Sequence, residues 1–176
     1  MTTQVTPLGA VARGLAAGAV GTACMTLAQE LSARLQSSQS DDQQGDDQQG
    51  DDQQNRDAWA QASMPAKVAR RISRGVFERD VPPERIPLLT NAVHWAYGTA
   101  WGAVYGLVQE TFGGRPLRRG VAFATGVWAM SYVQLVPMGL YEPPWRYPRK
   151  DVAMELSYHL AYGLGVAGAY PVLDRA

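Results

Sequence analysis

Two histidines, His94 and His159, are the only imidazoles in the 176-residue chain. Each has a polar neighbour about one helical turn away: Asn91 lies three residues before the first, and Glu155 four before the second. Both pairs sit in otherwise apolar sequence, where ionisable groups are costly and therefore mark candidate functional positions. Three chemistries are open to them. They can hydrogen-bond between helices and fix the register of a bundle. Glu155, His159, His94 and Asn91 can line a polar path that passes protons or a small solute, since imidazole changes charge near neutral pH. The two imidazoles can also ligate haem or a metal. Haem would take both as axial ligands, whereas zinc needs two further ligands, for which only Glu155 is a good chemical match. No cofactor is expected on balance. No serine or cysteine has a histidine set beside it by a hydrolase motif, so the chain is not expected to be an enzyme.

The elements that position these residues are apolar runs. Residues 86–108, IPLLTNAVHWAYGTAWGAVYGLV, contain no Asp, Glu, Lys or Arg, and about 20 apolar residues suffice to cross a bilayer core as helix. Three further runs cover about 8–29, 120–141 and 155–173. The fold class expected is therefore all-α, a four-helix transmembrane bundle within a single membrane domain. The overall charged fraction of 18% hides this, because the charges gather between the apolar runs. Gly98, Gly102 and Gly106 recur every fourth residue and Gly163 occupies a similar place in the last run, which suits close helix packing. Pro137 should kink the third run or mark its end. The first run is read as a retained helix, with Arg13 snorkelling, because no convincing cleavage site follows Leu27. One cysteine, Cys24, allows no disulfide within the chain.

The second half echoes the first. His94, Tyr97, Gly98 and Tyr105 correspond in spacing to His159, Tyr162, Gly163 and Tyr170, as expected of a duplicated helix pair whose copies share one orientation. The GLGVAG stretch at 163–168 matches a dinucleotide fingerprint by letters alone, since no strand precedes it.

Between the first two runs, 37–56 holds the repeated DDQQG unit, which has no apolar side chain and is expected to be a disordered linker. Residues 57–77 follow as one amphipathic interfacial helix, with Val68, Ile72 and Val76 on one face. Lys67, Arg70, Arg71 and Arg74 are placed for anionic lipid headgroups. The partners expected are thus the bilayer and its anionic lipids, with a homo-oligomer where a pore needs several copies, and no nucleic acid. Lysine and arginine concentrate in loops 30–85 and 142–155, which places those loops in the cytoplasm and both termini outside.

PAKVARRI, IPLLTNAVHWAYGTAWGAVYGL, MGLYEPPWRYP and LSYHLAYGLG together resemble the YagU-like group of small bacterial inner-membrane proteins. The resemblance covers most of the chain outside the Asp-Gln tract. It implies a four-helix protein of the bacterial inner membrane with no assigned activity, and it carries over no catalytic residue.

Overall fold

The computed structural model describes residues 6–37, 51–112 and 115–173. Among these, all regular structure is helical: α1 (Pro7–Ser37), α2 (Asp51–Gln61), α3 (Met64–Phe77), α4 (Ile86–Phe112), α5 (Pro116–Leu135) and α6 (Arg149–Leu173), with single 3₁₀ turns at Pro83–Arg85 and Pro144–Arg146. The chain forms two compact units, Met1–Leu35 with Tyr97–Ala176, and Gln36–Ala96.

The first unit is built from α1, the part of α4 beyond Ala96, α5 and α6. Thr6 caps α1 by accepting the Gly9 N–H at 3.1 Å, and Pro7 fills the first helical position, where no N–H is needed. On α1, Ala10, Gly14, Gly18 and Thr22 recur every fourth residue, and this ladder lies antiparallel on Gly106, Gly102 and Gly98 of α4. A methyl group on Gly18 would stand 2.8 Å from Gly102 Cα and 2.9 Å from the Gly98 and Thr99 carbonyl oxygens. The two backbones therefore touch, as small residues at every fourth position permit. Gly163 on α6 meets Gly120 and Ala124 of α5 in the same way. Between the helices lies an aromatic group, with Phe123 against Trp101, Tyr105 and Tyr162, and Tyr105 edge-on to Tyr170. The Tyr162 hydroxyl donates to Gly98 O at 2.6 Å, and the Tyr170 hydroxyl lies 3.4 Å from Gly106 O. Both spacings are eight residues, so α6 and α4 run in the same direction.

Large aliphatic side chains point the other way. Leu15, Leu27 and Leu31 on α1, Val104 and Leu107 on α4, Val121 and Val133 on α5, and Leu164 and Val172 on α6 are all exposed. Among the described residues, only α1 meets both the length and the mean hydropathy needed to cross a membrane, over 7–36. Tyrosine and glycine recur in both α4 and α6, with tryptophan in α4, and these residues raise mean hydropathy little although they pack well in apolar surroundings.

In the second unit, Trp59, Ala62 and Ala66 are buried together, with Val81, Ile86 and Leu89 packed on them. The hairpin of α2 and α3 is thereby fixed to the first turn of α4. The single helix expected over 57–77 is in fact two. Ser63 is extended (φ −62°, ψ 157°) and Pro65 occupies the first turn of α3, because proline disfavours helical backbone before it and lacks an N–H to continue a preceding helix. The disordered stretch expected over 37–56 is also corrected at its end, since 51–56 belong to α2. Burial of Trp59 anchors that helix. The remainder of the tract, 38–50, lies outside the described residues.

Other boundaries shift for local reasons. α1 continues eight residues beyond the expected 29, and α4 four beyond 108, through polar turns that still hydrogen-bond internally. α6 begins at Arg149 rather than 155, so Glu155 stands well inside a helix. α5 starts earlier than the run expected over 120–141 and stops at Leu135. There the Leu140 N–H returns to Leu135 O at 3.0 Å across Gly139, whose φ of +67° suits glycine at a helix end. Pro137 thus follows a helix end rather than kinking a span.

Candidate functional site

The α5 ending sets up the most polar arrangement in the first unit. The reversal at Gly139 brings Tyr141 back toward α6, where Glu155 waits one and a half turns from the helix start. The Tyr132 hydroxyl donates to Glu155 Oε2 at 2.6 Å, and the Tyr141 hydroxyl donates to Oε1 at 2.7 Å. Each carboxylate oxygen therefore has its own phenol donor, and such charge-assisted bonds are among the stronger ones in proteins. Tyr147 packs against both phenol rings, 6.5 Å from Tyr132 and 6.2 Å from Tyr141, and its hydroxyl accepts the Glu142 N–H at 3.0 Å. Arg146 pairs with Glu142 at 2.6 Å and closes the outer side of the same loop.

His159 lies one turn deeper on α6. Its Nδ1 is 2.9 Å from the backbone carbonyl of Glu155, not from the carboxylate. A carbonyl only accepts, so Nδ1 carries the proton, and Nε2 of a neutral ring is left as an acceptor. Glu155, His159 and Tyr162 thus follow one another at four- and three-residue spacing on one face of α6. Val166, fully buried, interrupts the polar series, and Tyr170 resumes it. The Tyr170 hydroxyl donates to Glu110 Oε1 at 2.9 Å. A carboxylate held by tyrosine therefore stands toward each end of the unit. Trp128, edge-on to Tyr132, has a buried indole nitrogen with no hydrogen-bond partner.

The other two sequence candidates belong to the second unit. Asn91 is exposed and donates to Pro87 O of its own helix at 2.9 Å, so its amide is turned back rather than toward His94. His94 is half-buried. Among the described residues, no group of three or more His, Cys, Asp and Glu is placed to hold a metal ion.

Of the basic residues expected to meet lipid, three are engaged within the protein. Arg74 holds both carboxylate oxygens of Asp80, at 2.9 and 2.5 Å, and Arg70 reaches Oδ1 at 3.3 Å while lying 4.4 Å above the Trp59 ring. These guanidinium bonds, with the Val81 N–H, hold the Asp80 carboxyl well below the ordinary carboxylate range. Lys67 donates to Ala60 O at 2.7 Å.

Tyr132, Tyr141, Tyr170 and Glu110 were missed in the sequence reading. Their common signal is a tyrosine one or more helices away from a carboxylate, which only a register between helices can reveal. Comparison with family models, curated proteins and solved structures gave no match.

Proposed function

We propose that this chain is a four-span integral membrane protein, built from a duplicated helix pair, that passes protons or a small solute by way of Glu155. One observation carries the membrane part. In the unit formed by Met1–Leu35 and Tyr97–Ala176, the contacts between helices are made mostly by glycine, alanine and tyrosine, with Val127 and Val166 the buried valines, while every helix exposes large aliphatic side chains, among them Leu27, Val104, Val133 and Leu164. Water would favour the reverse, because burying large aliphatics is what stabilises a soluble core. Lipid removes that drive and rewards close backbone packing instead. Exposed apolar surface on this scale needs a nonaqueous neighbour.

Glu155 carries the activity. A carboxylate inside a membrane helix is expensive unless it does something. Its two phenol donors hold both carboxylate oxygens in place, and His159 and Tyr162 offer the next groups at one-turn intervals. The competing reading is a purely structural bundle, favoured by the closed centre where Ala17, Ala124 and Val166 are fully buried.

Purified protein in liposomes loaded with a pH-sensitive dye separates the two. Under an imposed pH gradient, wild type should dissipate the gradient faster than protein-free vesicles, and Glu155→Gln should slow this at least about tenfold. Tyr132→Phe and Tyr141→Phe should each slow it as well, by less than Glu155→Gln, because each removes one of the hydrogen bonds that hold the carboxylate in place. Wild-type rates equal to those of empty vesicles, with all variants folded, would sink the passage reading and leave the structural one.

A further inference from the structure

We infer that the outer face of α3 is seated on an anionic phospholipid leaflet at the point where α4 enters the membrane. The inference rests on the reading of α4 as a span. Val68, Ile72 and Val76 recur every fourth residue on α3, and Ile72 and Val76 are exposed, the latter 69%. Among the described residues, Ile72 and Val76 on this face stay exposed, because the opposite side of α3 is the one that packs, through Ala66, onto Trp59 and the first turn of α4. An exposed apolar stripe on an amphipathic helix suits the boundary between headgroups and acyl chains.

Two observations select lipid as the occupant. The first is position. Ile86 and Leu89, in the opening turn of α4, belong to the same buried cluster as Trp59 and Ala66, so α3 is pinned beside the entry point of that helix rather than swinging on a linker. The second is charge. Arg71 is exposed, next to Ile72 and about one turn from Val68, and Arg74 flanks the stripe with over half its side chain exposed. Basic flanks beside an apolar face match anionic headgroups. The sequence alone would have given all four basic residues to lipid. The structure divides the work: Arg70 and Arg74 with Asp80 fix the end of α3 to the following turn, and Arg71 is left for the leaflet.

The test uses the full chain with Cys24→Ala and one new cysteine, Val76→Cys, carrying an environment-sensitive fluorophore. It is reconstituted in phosphatidylcholine vesicles with or without about one-third phosphatidylglycerol. A second protein carries the label at Val104→Cys, on the exposed side of α4 within the expected span. The Val76 label should shift to the blue and be quenched by nitroxide lipids bearing the spin label near the headgroup, at least about twofold more in anionic vesicles. Arg71→Glu should lower that quenching about fivefold. A Val76 label quenched by aqueous iodide in both lipids, with the Val104 label shielded, would overturn the docking and leave the membrane reading intact. Iodide quenching of both labels would overturn the membrane reading itself. A shielded Val76 label with no dependence on anionic lipid or on Arg71 would point to a protein partner and equally overturn the inference.

Discussion

At the scale of single residues, carboxylates in this chain are defined by what donates to them. Glu155 takes two phenols, whereas Asp80 takes two guanidiniums and a backbone N–H. For Asp80 the consequence for pH has a definite sign. Its folded carboxyl titrates below its unfolded value, so the clasp is fully present above the unfolded range and is lost as pH falls through the folded one. Asp80 is itself largely exposed, so solvent screens the pair and the effect is local. Amide exchange at Arg79 and Val81, corrected for intrinsic rates, should therefore speed up within a factor of about five at strongly acidic pH. Asp80→Asn should show the faster exchange already at neutral pH and no further acid response. Equal exchange in the two proteins across that range would mean that the Arg74 bond does not hold the turn. None of this was legible in the sequence: Asp80 lies six residues from Arg74, beyond the left-handed Glu78 (φ 52°) that ends α3 and turns the chain back. Helical periodicity sees only partners within the helix.

At the scale of elements, the glycine ladder was legible and its partner was not. Spacing marked Gly98, Gly102 and Gly106 as a close-packing face because period four is a property of one helix. That Ala10, Gly14, Gly18 and Thr22 meet it requires knowing which helices are neighbours. The same limit hid the split at Ser63 less than it hid the site. Pro65 lies inside the run expected as one helix, ahead of Val68, Ile72 and Val76, whose spacing defines only the part after it. At Glu155, the two phenols come from α5 and from the loop beyond it, so no local rule could connect them. The ladder makes opposed predictions for two chemically identical changes. A methyl on Gly102 would meet the Gly14 carbonyl and the Gly18 backbone, which cannot yield without the helices parting. Gly102→Ala should cost about 1–3 kcal/mol by overpacking. Gly126 has nothing within 4 Å of where its Cβ would stand, so Gly126→Ala should be neutral or gain up to about 1 kcal/mol from helix propensity. Thermal unfolding in detergent, followed by circular dichroism, measures both. A similar loss for the two variants would show that α1 and α4 do not pack through this face.

At the scale of the whole molecule, the arrangement of charge should decide how the chain is threaded. Segment 30–85 carries eight lysines and arginines and segment 142–155 three, against three in 110–119, so the bias comes from the first of them. On the proposed four-span reading, retention of the positive charge of 30–85 in the cytoplasm would place the α5–α6 loop inside and the α4–α5 connection outside. This ordering agrees with helix direction in the first unit, where α4 and α6 run alike and α5 runs against α6. It follows that Trp145 and Arg115, both exposed, should differ in access from the two sides of the membrane. In a Cys24→Ala background, Trp145→Cys in intact cells should react with a membrane-impermeant maleimide only after permeabilisation, and Arg115→Cys before it. The reverse pattern would turn the bundle over. Labelling of both cysteines without permeabilisation would remove the threading altogether. If the α5–α6 loop is cytoplasmic, Glu155, near the start of α6, lies toward that side, and the passage proposed for it would draw its protons from the cytoplasm.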